Sequence, residues 1–89
     1  MIVGVGRIAG GLMPKVADFG PYRLFFYSNE RGEPPHVHVE RDGNVAKYWL
    51  RPVGLASNDG FAARELRELQ RVVVEHERQC EERWHEFFG

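Results

Sequence analysis

Asp42-Gly43 lies between two runs, His36 to Arg41 and Asn44 to Arg51, in which residue character alternates with period two. Asp-Gly is a favoured two-residue hairpin turn because both central residues must take positive φ. The turn therefore predicts two antiparallel strands and their register: Arg41 opposite Asn44, Glu40 opposite Val45, Val39 opposite Ala46, His38 opposite Lys47, Val37 opposite Tyr48 and His36 opposite Trp49. Pro34-Pro35 and Pro52 bound the hairpin, since proline cannot donate to a ladder. A one-residue slip would exchange the two faces entirely, so the turn also sorts the side chains. Val37, Val39, Ala46, Tyr48 and Leu50 share one apolar face, which should be core. His36, His38, Glu40, Val45, Lys47, Trp49 and Arg51 share the other, which is expected to stay open.

An aromatic run from Tyr22 to Ser28 follows Gly20-Pro21 and reads as a further strand, with Asn29 to Pro35 as a loop. If that strand pairs alongside the hairpin, Arg23, Phe25 and Tyr27 join the histidine face. Val53 to Ala56 reads as a short extended piece beyond Pro52. Ser57-Asn58-Asp59-Gly60 supplies helix N-cap candidates. From Phe61 to Phe88 there is no Gly or Pro, and Leu66, Leu69, Val73, Cys80, Trp84 and Phe87 recur at helical spacing. Trp84, Phe87 and Phe88 are expected to clamp the helix end to the sheet. The predicted fold class is α+β: an antiparallel sheet of three or four strands, including the 36–51 hairpin, packed against a long C-terminal helix or two consecutive helices. Residues 1–12, with four glycines, read as a flexible leader, and residues 13–89 as a single domain.

Charge and cysteine content narrow the class. The formal net charge of −1 argues against an overall basic nucleic-acid or membrane binder, though a local basic face remains open. The single cysteine, Cys80, can form no internal disulfide, so the expected compartment is cytoplasmic. No apolar run approaches the roughly 18 residues of a membrane helix, and no membrane partner is expected. Gly4-x-Gly6 lacks the strand–helix context of a nucleotide loop.

Tyr22-Arg-Leu-Phe-Phe-Tyr-Ser-Asn, Glu33-Pro-Pro-His-Val-His-Val and Ala46-Lys-Tyr-Trp-Leu-Arg-Pro-Val, followed by Asn58-Asp-Gly-Phe and Trp84-His-Glu-Phe-Phe-Gly, resemble the small prokaryotic domain of unknown function numbered 4160. The resemblance runs from about Met13 to Gly89, and Pro-Pro-His-x-His is its most specific part. It implies a short bacterial protein encoded beside another small domain, in the manner of a toxin–antitoxin pair, and hence a small protein partner encoded nearby. It implies no catalytic assignment.

His36 and His38 are the candidate working residues, because residues i and i+2 of a strand point the same way. They can be read in four ways. As metal ligands, for a divalent ion such as zinc, they need a third donor; Glu40 and the i, i+4 pair His76 and Cys80 are the choices considered. No cofactor is the base expectation, and the helix should cover the valine face instead. As an acid–base pair with Lys47 opposite His38 and phosphate-binding Arg23 and Arg51, they would make a small ribonuclease. With Trp49, Phe25 and Tyr27 as stacking rings, the face would bind RNA. As an open surface, the same residues, with Glu40, would form a protein interface. The last is the leading expectation: a protein-interaction module, with a ribonuclease-like or metal-dependent hydrolase as the alternative.

Overall fold

The computed structural model describes residues 15–89; the expected leader, residues 1–12, lies outside the described residues. Five strands, β1 (Lys15–Phe19), β2 (Tyr22–Phe25), β3 (His36–Arg41), β4 (Asn44–Leu50) and β5 (Val53–Asp59), precede helices α1 (Ala63–Glu75) and α2 (Glu77–Phe88). The sheet is an antiparallel meander in the order β1-β2-β3-β4-β5. Among the described residues the architecture is α+β with two consecutive helices and five strands, rather than three or four.

The β3–β4 hairpin has the register set by its turn, from His36 opposite Trp49 to Arg41 opposite Asn44. Asp42 and Gly43 take φ of 51° and 85°, as the two-residue turn demands. The additional strands come from short connections. Gly20, at φ 58°, and Pro21 turn β1 directly into β2, with Phe19 opposite Tyr22. Only Val16 of β1 is buried, so its alternation carries little signal, although glycine at the first central position of a two-residue turn is itself a hairpin cue. Arg51-Pro52 likewise turns β4 into β5, which extends to Asp59 instead of stopping at Ala56.

Both helices pack on the valine face. The core joins Val16, Leu24, Phe26, Val37, Val39, Ala46, Tyr48 and Leu50 to Phe61, Leu69, Val73, Cys80 and Trp84. Two polar anchors hold α1 to the sheet. Tyr48 Oη donates to Leu66 O at 2.8 Å, and Glu65 accepts from Tyr22 Oη at 2.7 Å and Arg41 Nη1 at 2.6 Å. The expected Ser57–Gly60 cap is replaced by a clasp further along. Asn58 accepts from Phe61 N–H and donates to Phe61 O, both at 3.0 Å, while Ala62 is the N-cap without a side-chain bond. The helices break at His76, whose Nδ1–H donates to Val72 O at 2.8 Å. At the far end Phe26 meets Trp84, Phe87 and Phe88 at 5.4–5.6 Å, although Phe87 stays half-exposed.

Candidate functional site

The aromatic strand ends three residues earlier than its pattern predicts. After Phe25 the chain leaves the sheet, because Tyr27 N–H donates to Glu30 Oε1 at 2.8 Å instead of to a neighbouring strand. Tyr27 O accepts from Glu30 N–H, and Glu30 O from Glu33 N–H, so residues 27–33 curl as linked turns. This loop folds onto the histidine face and carries the Glu30 side chain into it.

His36 and His38 do share a face, as period two requires, but that face is closed. His36 is 0% exposed, His38 8% and Phe25 1%. The open interface expected of the sequence is therefore corrected: a second, small cluster of rings fills it. Phe25 stacks on His38 at 5.4 Å, Tyr27 meets His38 edge-on at 4.8 Å, and His36 touches His38, Trp49 and Trp84 at 5.1, 5.8 and 4.8 Å.

Glu30, His36 and His38 form the polar centre of this cluster, with one potential donor atom from each lying within 4.8 Å of the others. His38 Nε2–H donates to Glu30 Oε2 at 2.8 Å. His36 Nδ1 lies 2.9 Å from Pro34 O; a carbonyl only accepts, so Nδ1 carries the proton. His36 Nε2 lies 2.9 Å from Glu30 Oε1, yet it is a buried atom with no hydrogen bond of acceptable geometry. Proximity and alignment thus disagree at this nitrogen, and alignment is the stricter test of a bond.

The charge states follow from the surroundings. Burial alone would raise the Glu30 carboxyl, but the bonds from Tyr27 N–H and His38, with the His36 ring close by, outweigh it and hold the group below its ordinary value, as a carboxylate. Burial dominates at His38, lowering its pKa despite Glu30, so the ring is a neutral donor to that carboxylate.

The other predicted site residues divide. Lys47 stands across from His38 but pairs with Glu33 at 2.5 Å and lies over the Trp49 ring at 4.7 Å. Arg23 reaches Glu40 at 3.4 Å and covers Phe25, while Glu40 also accepts from Gly43 N–H, so Glu40 is occupied elsewhere than at the histidines. Arg51 leaves the face: it forks onto Glu81 of α2. Cys80 lies in the core with its thiol pushed up to about 12 by burial, and His76 packs on Phe19. Neither joins the pair, so the four-ligand set considered from sequence does not assemble. Glu30, the residue that completes the triad, reads in sequence as one loop carboxylate among several. Its cue is only that Ser28-Asn29-Glu30 continues a strand into a turn.

The chain is thus a five-stranded α+β meander with a buried carboxylate–imidazole triad, held by one loop and one strand. A family model described as a domain of unknown function, DUF4160, matches residues 22–85, and the chain belongs to that family. The match spans the loop, the hairpin and nearly all of both helices. No curated protein and no solved structure matches. Among the described residues no helix is long and apolar enough to cross a membrane.

Proposed function

We propose that the chain is a protein-interaction module, one component of a toxin–antitoxin-like two-gene pair, and that it grips a basic segment of its partner along the outer side of the two helices. The observation that supports this reading is an open groove of about 940 Å³ at the helix break, lined by Val74, Glu75, Glu77, Arg78, Glu81, Glu82, His85 and Glu86, with Arg51 at its rim. Five carboxylates there face two guanidiniums, a formal charge of −3, and Arg51 is already paired with Glu81. Val74, 52% exposed, supplies an apolar contact. An apolar spot within a ring of one sign suits a partner helix of opposite charge, and the charge would steer its approach. The hydrolase reading is supported less, because a substrate would have to reach His36 and His38 through the rings that bury them.

Co-expression with the neighbouring gene product and affinity purification tests the reading. The pair should co-purify, and Glu77→Lys with Glu82→Lys should weaken association at least about tenfold, with a binding constant that falls as salt rises. A chain that purifies alone, or a partner indifferent to both substitutions, overturns it.

A further inference from the structure

The buried triad poses a problem in donors and acceptors that the interaction reading leaves untouched. Pro34 O fixes the His36 proton on Nδ1, so in a neutral ring Nε2 presents a lone pair. That lone pair sits 2.9 Å from an oxygen of a carboxylate, with the ring wholly buried. Both atoms are acceptors and repel at that distance in a dry interior, although the lone pair is not aimed along the line between them, so Nε2 is left buried without a partner. Something positive belongs between them: a second proton on His36 or a cation. A proton is poorly placed, because an N–H on Nε2 would not point at Glu30, whereas an ion about 2.05 Å from both atoms sits off the line between them, where the lone pair can reach it.

We propose that Glu30, His36 and His38 bind a divalent transition ion of the zinc class, as a clip that fastens the 27–35 loop to β3. Two imidazole nitrogens and one carboxylate suit zinc and its neighbours rather than magnesium or calcium, which prefer all-oxygen sets. His36 Nδ1–H on a backbone carbonyl is the outer contact that orients a metal-bound histidine with Nε2 toward the ion. The distances are close to what coordination needs. Ligands about 2.05 Å from a tetrahedral ion stand about 3.3 Å apart. Glu30 Oε1 stands 2.9 Å from His36 Nε2 and Oε2 2.8 Å from His38 Nε2, and one donor atom of each residue lies within 4.8 Å of the others, so side-chain shifts of about 0.5–1.5 Å would admit it. Metal binding by His38 displaces its Nε2 proton, which leaves with solvent. Three protein donors leave one position for water. The surrounding rings leave no approach for a larger molecule, so the ion's role is structural.

The chain, stripped with a chelator, is titrated with zinc chloride and separately with cobalt chloride, with magnesium chloride as the control. Saturable one-to-one zinc binding and the visible bands of four-coordinate cobalt are expected, with no response to magnesium. Zinc should shift the ring-nitrogen resonances of His36 and His38 and leave His76 and His85 unmoved. Glu30→Gln, which preserves shape, should weaken zinc binding more than about a hundredfold while the chain stays folded by circular dichroism. Zinc at a hundredfold excess over Kd should raise Tm by roughly 10–20 °C. Absence of saturable binding, or resonances showing His36 protonated on both nitrogens in zinc, overturns the assignment. So does binding that moves His76 or His85 instead. None of these readouts involves the helix groove, so this site and the partner surface fail separately.

Discussion

Replacing Glu30 by alanine tests whether the 27–35 loop is held by that one side chain. The carboxylate receives Tyr27 N–H and His38 Nε2–H at 2.8 Å each and lies 2.9 Å from His36 Nε2. Hydrogen bonds to a charged acceptor contribute about 1.5–3 kcal/mol each, but taking the carboxylate out of water opposes them by several kcal/mol. Removal recovers that desolvation cost and leaves the His38 ring N–H and the Tyr27 backbone N–H without partners, at about 1–3 kcal/mol apiece where water cannot follow. Tyr27 is only half-buried and can recruit water; the rings are sealed. The expected loss is about 2–4 kcal/mol, a large share of the roughly 5–10 kcal/mol available to a chain of this size. Urea unfolding of the metal-free protein at pH 7.5, followed by Trp49 and Trp84 fluorescence, should show the midpoint lowered by about 1–2 M at a slope near 2 kcal/mol/M. Glu30→Gln, which keeps an acceptor for Tyr27, should lose about half as much. A loss under about 0.5 kcal/mol for Glu30→Ala would refute the reasoning, since it would make Glu30 a solvated loop residue.

Stability of the metal-free protein should fall with acidification in two stages. Folding lowers the pKa of both His38 and Glu30, so the unfolded chain binds more protons. The His38 contribution is present above its ordinary 6.5 and is lost as pH falls through its folded value; the Glu30 contribution is lost below about 4.5. Unfolding titrations at pH 7.5, 5.5 and 4 check this, and stability that is level or rising toward pH 5.5 contradicts it. Tyr48→Phe removes the bond to Leu66 O and should cost about 1 kcal/mol by the same assay. Trp84→Ala opens a space beneath Phe26, His36 and Phe88 and should cost about 3–5 kcal/mol. Gly60→Ala should cost about 1–3 kcal/mol in thermal unfolding, because φ is +107° and the new Cβ would clash with the Asn44 side-chain amide; an unchanged Tm would show that the β5–α1 turn relaxes freely.

Sequence reasoning worked where structure is local. Asp42-Gly43 admits one hairpin conformation, and period two then sorts every residue of β3 and β4, so the register and the shared face of His36 and His38 were legible in advance. The helical stripe from Leu66 to Trp84 was legible for the same reason, since spacing alone declares a face. β1 was not, because a five-residue edge strand with one buried side chain has almost no pattern. The break at His76 has no glycine or proline to announce it.

Residue order alone assigns each side chain to a face of the hairpin, because a two-residue turn and the pleat leave no freedom in that choice. Whether the histidine face is open or closed is settled by long-range packing instead. That depends on where a ten-residue loop goes after Phe25, and on one carboxylate being bound by a backbone N–H and a ring from separate parts of the chain. Such bonds are specified by distance in space, for which Glu30 and Glu33 look alike in sequence. The fold separates them, sending Glu30 inward to His36 and His38 and leaving Glu33 with Lys47 at the surface.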